Sequence, residues 1–268
     1  MDFEPLHSAH AIESVSFHVA FDQQLDDAGL QTAKKALGDL PELPGRSEIR
    51  TMSVPIGVAG AASAESGGYA YTNSRPDGVI QDELHVTRNA ISTSTRNYIR
   101  WADAWRGPEK YFGLLVPIYL ETAKVLQITL NYVDKFVPAE PSKFTNPARI
   151  LRPGSVYLAP QIFQQEDLWH SYTGRFERVS ATIKRLLSIN VDCLTERTVD
   201  SEKTVLVIKT LTADYFNQPG YEAHEMPRNA APQLIRERFE ELHQYDKRVM
   251  IDMLSPQMAD RIGLTAKK

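Results

Sequence analysis

Two groups of side chains in this 268-residue chain have types and spacings that could bind something. The first lies between positions 88 and 106, where Arg88, Arg96, Arg100 and Arg106 are interleaved with Tyr98, Trp101 and Trp105. Guanidinium groups beside aromatic rings can stack nucleic-acid bases or grip a protein partner. Aromatics at helical spacing also anchor a helix to its own core, with arginines solvating the outer face. The second group is Asn131, Asp134 and Lys135, inside the apolar run from Val125 to Val137. On a strand, Asp134 and Lys135 point to opposite faces and Asn131 shares the face of Lys135. Such groups could line a small-ligand pocket between two halves of the chain, or form solvated edge positions or a paired buried charge.

Other chemistries lack their parts. The loop from Gly57 to Gly68 has no GK[ST] ending to place a lysine and a hydroxyl on phosphates. His7 and His10 could supply two metal ligands, but no second ligand pair accompanies them. No G-x-S-x-G elbow is present, and Cys193 reads as mid-strand, where a lone thiol behaves as a small buried hydrophobe. Asp77, Asp82 and Glu83 would begin a nuclease-like carboxylate set, but no lysine follows to complete it. No catalytic residue is assigned, and no metal or cofactor is implied.

A formal net charge of −4 provides no global positive field to attract a phosphate backbone, so nucleic-acid binding would need a local basic patch. The single cysteine excludes an internal disulfide, and the opening MDFEPLHSAH lacks the basic and apolar stretches of a secretory signal. No apolar run approaches the ~18 residues of a membrane span. A cytoplasmic protein is expected.

The elements that must position these residues follow from periodicity. Val15, Phe17, Val19 and Phe21 alternate along a half-buried strand, and Asp26 or Asp27 then caps a helix carrying Leu30, Ala33 and Leu37. A strand is predicted from Glu48 to Val58, a low-complexity loop from Ala59 to Gly68, and a turn at RPDG between short strands. Glu83 to Thr95 reads as a hairpin turning at Arg88 and Asn89. Two helical segments follow, 97–106 and 108–124, separated by Gly107 and Pro108. After the central strand, a proline-rich connection (138–160) leads to strands at 174–186, 188–196 and 204–215. The chain then closes with a long helix (232–254) whose stripe is Ile235, Phe239, Leu242, Val249, Met250 and Met253, and a short one from Pro256 to Ile262. This is an α+β protein. Its order of elements predicts two similar halves, 1–124 and 125–268, each an antiparallel sheet packed against a long amphipathic helix.

Five landmarks, AIESVSFHVAF, YIRWADAW, ITLNYVDKF, VLVIKTLTADYF and LHQYDKRVMIDMLSPQMADRIGL, together resemble an uncharacterised, sporadically distributed bacterial family of conserved hypothetical proteins of roughly this length. That family has an Arg-Tyr-Ile-Asn-Arg-like central strand, where this chain carries Asn131, Tyr132, Val133, Asp134 and Lys135. The resemblance implies no activity. A patchy distribution is typical of accessory genes in bacterial defence and toxin–antitoxin loci. The expectation is therefore a non-enzymatic regulatory protein, sensor-like or antitoxin-like, acting through protein–protein contact. The alternatives are a nucleic-acid-binding module using the cluster from Arg88 to Arg106 and a small-ligand protein. A homodimer is the base expectation for a soluble oligomer.

Overall fold

The computed structural model describes residues 3–53, 63–138, 146–165, 167–197 and 202–265. Its strands are β1 (Phe3–Pro5), β2 (Ile12–Phe21), β3 (Gly45–Ser53), β4 (Ser63–Ser74), β5 (Ile80–Thr87), β6 (Ala90–Thr95), β7 (Val125–Pro138), β8 (Trp169–Arg178), β9 (Ile183–Arg197) and β10 (Glu202–Phe216). The helices are α1 (Asp27–Leu37), α2 (Trp101–Tyr119), α3 (Ala231–Met253) and α4 (Pro256–Arg261), with short 3₁₀ turns at Pro147–Arg149 and Pro160–Gln164. The hydrogen-bonded strand order is β3-β4-β5-β6-β2-β7-β10-β9-β8, with β1 pairing to β7. The chain is α+β, dominated by a large antiparallel sheet.

It divides into two compact units that are discontinuous in sequence. One comprises 1–15, 129–215 and 239–268; the other comprises 16–128 and 216–238. The division cuts β2, β7, β10 and α3, since each contributes residues to both units.

In the unit containing 16–128, Phe17, Val19 and Phe21 are all buried. Asp26 caps α1, accepting from the Gly29 N–H at 2.7 Å, and α1 buries Leu30, Ala33 and Leu37. The stretch 63–68 belongs to β4 rather than to a loop, and 59–62 lies outside the described residues. Its glycines serve close approach: a Cβ on Gly68 would lie 2.1 Å from the carbonyl oxygen of Val86 on the paired strand. The segments 97–106 and 108–124 are not two helices: the single helix α2 begins at Trp101 and runs through Pro108. Gly107 has no Cβ for the Pro108 ring to strike, and the buried face of Trp105, Phe112, Leu115, Val116 and Tyr119 holds the helix together across the lost backbone bond. Tyr119 stacks on Phe21 at 4.2 Å and donates its hydroxyl to the Thr87 carbonyl at the β5–β6 turn.

In the unit containing 129–215, the expected strand at 174–186 is two strands. β8 ends at Arg178 and β9 starts at Ile183, because the Ser180 hydroxyl accepts the Thr182 N–H at 3.2 Å and turns the chain. One sheet face, including Phe136, Leu187, Ile189, Val191, Leu206 and Ile208, forms a core with Val249, Met250, Met253 and Met258. Within it, Arg185 on β9 grips Asp214 on β10 through Nε (2.6 Å) and Nη2 (2.8 Å), both side chains almost fully buried. Removing one partner strands a charge in low dielectric, whereas replacing both with apolar groups does not. Arg185→Met is expected to destabilise the fold by about 3–5 kcal/mol. The double variant Arg185→Met, Asp214→Leu should recover most of that loss in urea denaturation.

Candidate functional site

The structure distributes the cluster from Arg88 to Arg106 over several roles. Arg88 is a clasp: Nε donates to the Ser66 carbonyl (3.0 Å), Nη1 to the Leu25 carbonyl (2.9 Å) and Nη2 to the Asp27 carboxylate. It borders an open groove of about 1020 Å³ that is also lined by Asp26, Gln31 and Tyr69. Trp105 is buried and lies 5.7 Å from Phe17 between ring centroids, while half-buried Trp101 stacks on Trp105 at 5.9 Å. Exposed Arg100 and Arg106 both pair with Asp103. Arg96 is exposed and Tyr98 half-buried. The tryptophans thus anchor α2, and a carboxylate already offsets two of the cations.

Asp82 and Glu83 flank a cavity of about 330 Å³, but hydroxyl and amide donors occupy their oxygens. Asp82 accepts from Thr95 (2.7 Å) and Asn73 (3.1 Å), and Glu83 accepts from Ser94 (2.8 Å). Burial raises the Cys193 thiol to about 11, which makes it a poor nucleophile near neutrality. Among the described residues, no three His, Cys, Asp or Glu side chains could together hold a metal ion.

The β7 residues separate by face, as strand geometry requires. Lys135, 8% exposed, pairs with Glu196 and lies 3.8 Å from Glu13, and Asn131 is half-buried. Asp134 points to the other face, toward α3, where the helix contributes Asp246. Burial pushes the Asp134 carboxyl well above the usual carboxylate range, and the charge of Asp246 adds to the effect. Burial also raises Asp246 to about 7, opposed by a hydrogen bond from the Thr210 hydroxyl on β10. Tyr132 and His243 join β7 to α3 beside them, with the hydroxyl 2.9 Å from Nδ1. Together with Arg185–Asp214, these residues form a polar seam through an otherwise apolar interior.

β8 is a surface strand of this unit. It ends the strand order, and among the described residues no strand pairs with its outer edge. Its two faces differ. Ser171 is buried, and Arg175 lies over the Tyr157 ring at 5.3 Å and reaches the Tyr245 hydroxyl at 3.4 Å. On the opposite face Tyr172 is 70% exposed and Phe176 58% exposed. Phe176 is supported from below by Tyr215 (6.3 Å) and Lys184 (4.4 Å), and Tyr172 accepts from the Ser188 hydroxyl at 3.1 Å. Two exposed aromatic rings therefore stand on a strand whose outer edge pairs with no other strand among the described residues.

Comparison of the sequence with protein-family models and with curated proteins finds no match to either. Several of the residues that matter here carry weak signals in the sequence. Asp246 occupies the position in the α3 stripe where Leu242 and Val249 predict an apolar residue, and Asp134 likewise breaks the alternation of Leu130, Tyr132 and Phe136. Tyr172 and Phe176 share a strand face, two residues on either side of Gly174.

The carboxyl pair makes stability depend on pH with a definite sign. The folded state keeps a proton on Asp246 up to about pH 7, while the unfolded chain releases it near pH ~4. The native state therefore binds more protons between those values, and stability falls as pH rises through that window. Asp246→Asn keeps an acceptor for Thr210 without the charge. It should raise the melting temperature at pH 8 by a few degrees, roughly 1–3 kcal/mol, and leave it nearly unchanged at pH 5. A thermal-shift series from pH 5 to 8 reads this directly.

Proposed function

We propose that the chain is a non-enzymatic binding protein that works by contact with another polypeptide, and that β8 is the contact. The observation that carries this reading is the pair of exposed rings, Tyr172 and Phe176, on the outermost strand of the sheet. An edge strand presents a row of N–H and C=O groups ready to pair with another extended chain. Natural edges are usually protected by proline, lysine or charges; the run Trp169–Arg178 contains neither proline nor lysine, and its charges are Arg175 and Glu177 on the face opposite the two rings and Arg178 at the end of the strand. The other terminal strand, β3, shows the protected pattern: Arg46, Glu48 and Arg50 alternate along it, exposed. Aromatic rings flanked by arginine are also the residue types enriched at binding hot spots. The resemblance to a patchily distributed bacterial family supports a sensor-like or antitoxin-like role in a defence locus. The pairing of Arg100 and Arg106 with Asp103 favours this reading over nucleic-acid binding.

The test is quantitative co-purification from native cells with the tagged full chain, run beside a Tyr172→Lys, Phe176→Lys variant. The expected result is a polypeptide retained in stoichiometric amount by the wild type and lost by the variant at unchanged melting temperature. Equal recovery with both chains would overturn the assignment.

A further inference from the structure

From the pattern of β8 we infer that the polypeptide added to this edge is a second copy of the same chain, paired antiparallel about Gly174. This rests on the proposed role of β8 as the contact and specifies its partner.

The argument comes from symmetry. In a two-fold antiparallel pair centred on Gly174, residue i faces residue 348 − i of the partner copy, so both members of each pair lie on the same sheet face. Tyr172 then stands opposite Phe176 of the other copy, and the dyad repeats the pair. Two cross-strand aromatic contacts form from the two exposed rings. On the face bearing Arg175, Thr173 meets Arg175 and Ser171 meets Glu177; further out, Trp169 meets Val179, which is 40% exposed. No two like charges come face to face at neutral pH. At the dyad itself stands the one residue of the strand without a side chain, where two backbones must come close.

Neighbouring registers are worse for identifiable reasons. Centring on Arg175 sets two guanidinium groups against each other at the dyad. Centring on Thr173 places Tyr172 opposite Gly174 and loses both ring pairs. A parallel in-register pairing stacks Arg175 on Arg175 and Glu177 on Glu177, which is destabilising. The residue pattern of β8 therefore favours one self-pairing over its neighbours.

Sedimentation equilibrium of the full chain, with an oxidation experiment for register, tests the inference. The wild type is expected to be a dimer. Phe176→Lys, which changes an exposed ring, should weaken association by at least about tenfold. An equimolar mixture of Thr173→Cys and Arg175→Cys chains should form an intermolecular disulfide on oxidation, while each alone should not; buried Cys193 stays out of the reaction. A monomeric wild type, or a dimer indifferent to Phe176→Lys, overturns the inference. Cross-linking by Thr173→Cys alone overturns the register. A monomeric wild type whose heterologous partner is still lost on Phe176→Lys would end the self-pairing and leave the broader reading of β8 standing.

Discussion

A buried carboxyl must find a cation or keep its proton, and the unit containing 129–215 uses both solutions in the layer between its sheet and α3. Asp214 has a bidentate partner in Arg185. Asp134 and Asp246 have each other, and burial shifts both toward the neutral form. Once these groups are placed, the register of β9 against β10 and the rotation of α3 are constrained together. Arg185 must reach Asp214 while Tyr245 covers it, the guanidinium lying 4.9 Å from that ring, and Thr210 must reach Asp246, the next residue of α3. An apolar core tolerates small slips of a helix over a sheet, but hydrogen bonds in low dielectric do not.

The same layer also anchors β8. Its inner face is tied to the core by Trp169, Ser171 and Arg175. In the unit containing 16–128, charged side chains alternate in solvent along the terminal strand β3.

Much of the architecture was legible because it rests on local periodicity. The alternation of Val15 to Phe21, the cap at Asp26, the RPDG turn, the hairpin at Arg88–Asn89 and the apolar stripe of α3 all appear where the residue pattern puts them. Three readings failed for lack of nonlocal information. Pro108 does not break α2, because its neighbour is glycine and the helix packs on both sides of it. The glycines at 67–68 belong to a strand, because β5 lies directly against them. The run at 174–186 turns in the middle, because serine and threonine hydroxyls compete locally with the sheet. Two of the candidate residues, Trp101 and Trp105, were visible as aromatics at helical spacing, but nothing in that spacing says which way the rings face.

By itself the sequence determined the class of the fold and the positions of most elements, since each depends on residue type and short-range spacing. Only the tertiary structure decided that Asp134 meets Asp246, that Arg185 meets Asp214, and that the strand bearing Tyr172 and Phe176 is the outermost one. Those contacts join residues 29 to more than 100 positions apart. Whether a strand ends up central or at an edge depends on which others pair with it, a choice made by the whole sheet and written in no single segment of the chain.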